Sequence, residues 1–97
     1  MKKDGPAGRV KTELAKLRTK IDGIDRQVLG LLVQRAACSR KIGAIKKKNG
    51  LRVYSPKREQ DILARLCKQS CTPLTSAAVR AIFKTVMRES RKLQRAL

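Results

Sequence analysis

Arg35 stands where an apolar side chain belongs. Every third and fourth residue from Leu14 gives Leu17, Ile21, Ile24, Val28, Leu31, Arg35, Cys38, Ile42 and Ile45, and Arg35 alone among them is charged. No Asp or Glu lies one helical turn from it on either side. An unpaired cation on a buried seam is costly unless an anion meets it. A cation that sets register or snorkels to water is the plain alternative. Arg18 and Lys46 each directly follow a seam residue, Leu17 and Ile45. Lys46 has no carboxylate within a turn, and Arg18 has Asp22 only in the weaker order. Arg58 has Asp61 as a neighbour on the next helical stretch. Glu59 precedes the apolar pair Ile62 and Leu63 by one turn. Further on, Ser90 and Gln94 sit a turn apart on an apolar stripe. Singly, each of these reads as a solvated charge or a frayed helix end. Together, four cations, one carboxylate, one hydroxyl and one amide border apolar faces.

That set suits a small ligand carrying two anionic groups. Arginine forks bind carboxylates bidentately. Lys46 and Gln94 can donate to an oxygen that gains negative charge, and Glu59 can accept from a hydroxyl. No nucleophile stands among them, and the chain has no His, the commonest general base at neutral pH. The chemistry favoured is positioning and electrostatic stabilisation, without proton transfer.

The elements that must position these groups are helical. The unbroken alternation of 3 and 4 predicts one long amphipathic helix from about Val10 to Lys48. Gly23, Gly30 and Gly43 fall inside it but off the seam. Asn49-Gly50 is a stop signal. After a connector from Leu51 to Tyr54, Ser55 caps and Pro56 opens a second helix. Ile62, Leu63 and Leu66 mark its apolar face. It ends near Ser70 to Thr72, before Pro73. Thr75 caps a third helix, with a stripe of Val79, Ile82, Phe83, Val86, Met87, Ser90, Leu93, Gln94 and Leu97. Residues 1–9 read as a disordered basic tail and residues 10–97 as a single helical domain, so the fold class is all-α.

Length then constrains assembly. A helix of about 39 residues spans roughly 58 Å. A compact monomer of this size is only about 32 Å across. The helix overhangs its own globule, and its seam needs cover from another chain, most simply in a symmetric dimer.

The chain carries 25 Lys+Arg against 7 Asp+Glu, a net charge of +18. This favours anionic partners: small molecules, nucleic acid or acidic proteins. With one Phe, one Tyr and no Trp, there is almost no aromatic surface for base stacking, which argues against nucleic acid. A polyanion-binding module would account for the surplus charge better, since only four of the 25 cations border the apolar faces; in the small-ligand reading the excess steers a dianion or docks an acidic partner protein. Three Cys without metal spacing read as reduced thiols of a cytoplasmic protein. No apolar run is long enough to span a membrane, and the N-terminus lacks a signal-peptide core.

Several strings resemble the all-helical chorismate mutases. They are Leu17-Arg18-Thr19-Lys20-Ile21-Asp22 with Ile24-Asp25, then Leu31-Leu32-Val33-Gln34-Arg35, then Ile42-Gly43-Ala44-Ile45-Lys46. Val53-Tyr54-Ser55-Pro56-Lys57-Arg58-Glu59, Ala81-Ile82-Phe83 and Glu89-Ser90 through Gln94 complete the likeness, from roughly Leu14 to Leu97. The resemblance implies three helices per chain in an intertwined homodimer with two identical sites. It implies rearrangement of chorismate to prephenate, with no cofactor and no metal. It places the substrate-binding arginines at Arg18, Arg35 and Arg58, with Arg18 reaching the partner's site. It places the groups on the ether oxygen at Lys46 and Gln94. Glu59 falls on the carboxylate that holds the substrate hydroxyl, and Ser90 on a hydroxyl beside a substrate carboxylate. Lys46, Gln94, Glu59 and Arg35 are thus the catalytic set. Ser55, also in the site, departs from the pattern: some members carry Asp there, so hydroxyl recognition rests more on Glu59. Helical isochorismate pyruvate lyases share the scaffold and are the nearest alternative. An inactive regulatory domain, a segment of a bifunctional aromatic-pathway enzyme and a basic polyanion-binding module are the others.

Overall fold

The computed structural model describes residues 6–96. They form three helices: α1 (Pro6–Lys48), α2 (Pro56–Lys68) and α3 (Ser76–Arg95). Among the described residues there is no strand, and no helix is long and apolar enough to cross a membrane.

Helix α1 begins at Pro6, not near Val10, so residues 6–9 of the expected tail are helical. Proline suits a first helical turn because its missing N–H would have no partner there. The Thr12 hydroxyl then donates to the Gly8 carbonyl at 3.0 Å, within that added turn. Residues 1–5 of the expected tail lie outside the described residues, as does Leu97.

The C-terminal stop of α1 is a Schellman closure. Gly50 adopts φ +64°, a left-handed conformation that favours glycine. Its N–H donates to the Lys47 carbonyl at 3.4 Å, and the Leu51 N–H donates to the Lys46 carbonyl at 2.8 Å. The turn therefore fixes the connector directly against the backbone of Lys46.

Both expected caps are present. Ser55 Oγ accepts from the Arg58 N–H at 3.3 Å, with Pro56 opening α2. Thr75 Oγ1 accepts from the Ala78 N–H at 3.0 Å. Helix α2 stops at Lys68, a turn earlier than expected, where the Gln69 N–H closes onto the Leu66 carbonyl at 3.1 Å. Such a tightened last turn satisfies a carbonyl that the helix would otherwise leave open.

The fold divides into two units at Gln34 and Arg35. In the N-terminal unit, the seam residues Leu14, Leu17, Ile21, Ile24, Val28 and Leu31 are all exposed, between 43% and 63%. The C-terminal unit holds the end of α1, α2 and α3, with α2 packed on α3. Leu63, Val79 and Met87 are its buried apolar core, while Gly43 and Ser39 are the buried positions of α1. Ile62, Leu66, Phe83, Val86 and Leu93 are half-buried around them.

Candidate functional site

A cavity of about 470 Å³ opens in the C-terminal unit, lined by side chains from the end of α1, the connector, α2 and α3. Seven sequence-predicted residues meet there: Arg35, Lys46, Ser55, Arg58, Glu59, Ser90 and Gln94. Arg18 does not. It is exposed on the N-terminal part of α1.

The helical periods explain the convergence. Arg35, Ser39, Ile42 and Lys46 repeat at i, i+4, i+7 and i+11 on α1, which is one helix face. On α3, Met87, Ser90, Arg91 and Gln94 share a face at i, i+3, i+4 and i+7. Capping by Ser55 starts α2 so that Arg58 and Glu59 fall in its first turn, beside the cavity.

Arg35 is half-buried and donates from Nη1 to Ser90 Oγ. Ser39, only 5% exposed, donates to the same oxygen at 3.1 Å. A hydroxyl has two acceptor lone pairs and one proton. With both lone pairs engaged, the Ser90 proton is left to donate, and an anion in the cavity is a fitting acceptor. Arg35 itself keeps further N–H groups for that anion.

Lys46 Nζ donates to the Val53 carbonyl at 2.8 Å and to Gln94 Oε1 at 3.1 Å. An ammonium has three donors, so one N–H remains. The Gln94 amide nitrogen adds two more beside it. Ser90 and Gln94 are half-buried here, so they are not a frayed helix end.

Glu59 has a partner that the sequence analysis did not name. Arg91 Nη1 donates to both its oxygens, at 2.6 and 2.5 Å. The Arg91 guanidinium also lies 4.9 Å from the centre of the Tyr54 ring. Arg58 is exposed at the cavity and its guanidinium makes no ion pair with Asp61. Next to Ser90, Glu89 points to solvent; Lys92, and secondarily Arg88, hold its carboxyl below the ordinary value. It remains ionised outside the cavity.

Sequence reasoning missed Arg91 and Ser39. Arg91 is one of a run of basic residues on α3 with Arg88, Lys92 and Arg95, and reads as solvated charge. The available signal was its place one turn after Met87, on the buried face. Ser39 directly follows the seam residue Cys38 and repeats with Arg35 one turn earlier.

The cavity thus offers four cations, one carboxylate and a set of uncommitted donors over apolar walls from Ile42, Ile62 and Met87. Such a lining suits a small dianion and can present donors to one of its oxygens.

The sequence matches the family model of chorismate mutase type II over residues 17–95. The chain belongs to the chorismate mutase type II family. Chorismate mutase relatives are found among solved structures too. The chorismate mutase from Helicobacter pylori, determined in complex with prephenate, is 34% identical with a TM-score of 0.82. That likeness covers 88% of this chain and 92% of the other. The Form II chorismate mutase structure from Thermus thermophilus is 31% identical, with a TM-score of 0.84 over 86% of this chain and 94% of that one. The T-protein of Enterobacter agglomerans is 34% identical over 79 residues, which is 80% of this chain. The chain spans about a fifth of that protein, 21% of its length.

Proposed function

We propose that this chain is a chorismate mutase that isomerises chorismate to prephenate. The observation that carries the reading is the meeting of Lys46 and Gln94 at 3.1 Å, in one cavity with Arg35, Arg58 and Ser90. The reaction is intramolecular: an ether C–O bond breaks while a C–C bond forms, and no proton or group is exchanged with the protein. A site without a general base is compatible with such a step.

Arg35, with the Ser90 proton, and Arg58 would hold the two substrate carboxylates. Fixing both ends of a flexible ether selects its compact, chair-like conformer, which lowers the entropic part of the barrier. Lys46 and Gln94 would donate to the ether oxygen as its bond to carbon breaks and charge gathers there. Donors preorganised on such an oxygen contribute about 3–4 kcal/mol each. Glu59 would accept from the ring hydroxyl, and Ser55 would sit nearby as the cap of α2.

The active form is a homodimer in this reading. A second copy would cover the exposed apolar face of α1 and supply its Arg18 to the site. The free thiols of Cys38, Cys67 and Cys71 suit a cytoplasmic enzyme.

Purified protein mixed with chorismate tests the proposal. Loss of chorismate absorbance with prephenate as the product is expected. Release of pyruvate from isochorismate instead would assign the scaffold to the lyase reaction. No turnover of either compound would leave a docking or regulatory domain.

A further inference from the structure

We infer that Arg91 is a positioning residue for Glu59: it clamps the carboxylate in the orientation that meets the substrate hydroxyl, and cancels its charge towards the substrate's own carboxylates. This rests on the mutase reading. The observations are geometric. One nitrogen of Arg91 reaches both oxygens of Glu59, at 2.6 and 2.5 Å, joining α3 to α2. The two side chains are 23% and 21% exposed, so the pair is only partly screened by water. Tyr54 fixes the guanidinium from another side, its ring centre 4.9 Å away. A planar cation stacked on a ring face has little freedom left.

Charge explains why the clamp matters here. A carboxylate in a site for a dianion repels the ligand it must bind. Of the groups lining the cavity, Glu59 is the only acidic one, and both its oxygens are held by Arg91, a cation of the same wall. Arg91 also lines a second cavity of about 350 Å³ with Tyr54, Lys84 and Arg88. The Glu59–Arg91 pair borders both cavities, so it forms part of the wall between them.

The hydroxyl contact is made in ground and transition states alike. Losing its alignment therefore weakens binding more than turnover. Arg91→Leu is expected to raise KM for chorismate roughly tenfold to a hundredfold, the range of couplings between contacting charged groups. The kcat should stay within about threefold. Arg91→Lys should recover part of the loss, because a single nitrogen makes both contacts while the plane that stacks on Tyr54 is gone. In a Glu59→Gln background, Arg91→Leu should change KM by less than about twofold. A merely structural role would cost the same in either background. Circular dichroism checks folding, and Arg91→Gln carries the same expectation if the leucine variant unfolds. An active parent whose KM ignores Arg91, or loses equally with and without Glu59, overturns this inference alone. A parent with no mutase activity overturns the functional reading and this inference with it.

Discussion

Lys46 on α1 and Gln94 on α3 meet end to end, the ammonium donating to Oε1 across 3.1 Å. The two residues are 48 apart in sequence. The same ammonium is tied to the Val53 carbonyl at 2.8 Å, and the Lys46 carbonyl receives the Leu51 N–H that closes the end of α1. Lys46 is therefore held at its backbone and at its tip. What it leaves over is one N–H beside the Gln94 amide, a pair of donors suited to a single ligand oxygen. A donor fixed before the reaction needs no reorganisation as charge develops.

Arg35→Ala should lower kcat/KM by about 10²–10³, the usual cost of removing a charged partner from a desolvated contact. Stability should change by no more than about 1 kcal/mol. Arg35 contacts neutral Ser90 and forms no ion pair among the described residues, so the lost hydrogen bond is offset by relief of a partly buried cation. Chemical denaturation beside steady-state kinetics checks both halves. Unfolding of this variant would reveal a structural role for Arg35.

The apolar face of α1 predicts a dimer. Leu14, Leu17, Ile21, Ile24, Val28 and Leu31 are exposed in the single chain, and the buried apolar core of the described residues is only Leu63, Val79 and Met87. So small a core leaves a domain marginal without further burial. The thermal midpoint should rise with protein concentration, as for any fold completed by association. A midpoint independent of concentration, with a monomeric mass in solution, would contradict a partner on this face.

Much of the fold and the site is legible in the residues themselves. The 3-and-4 alternation announces α1, and Gly50, Ser55 and Thr75 announce the helix boundaries, because turn and cap chemistry is local. Arg35, Ser90 and Gln94 are legible as polar residues on apolar stripes, and Lys46 as a cation beside one. The start of α1 at Pro6 is not, since a proline, an alanine and a glycine carry no periodic signal. Nor is the Glu59–Arg91 pair. Its partners lie 32 residues apart on different helices, and a basic chain makes each further arginine look ordinary. Arg18 is exposed on α1 and does not line the cavity, and the role proposed for it rests on the proposed second copy.

Rising salt should lower kcat/KM while leaving kcat nearly unchanged. A chain of net charge +18 draws a dianion through a field that ions screen within about 8 Å at physiological strength. A kcat/KM indifferent to salt would remove steering as the reason for the surplus charge.

If Lys46 and Gln94 converge on the oxygen that gains charge, Gln94→Glu must change the pH profile of turnover. The amide of Gln94 donates at any ordinary pH. An ionised glutamate in its place can only accept, and it repels the developing charge; once protonated, it donates again. The parent should therefore show a flat kcat across neutral pH. The variant should lose roughly 10²–10³ in kcat at neutral pH, the cost of one such donor, and recover along a single ionisation as pH falls. A variant equal to the parent at neutral pH, with no recovery in acid, would mean that Gln94 does not face the reacting oxygen.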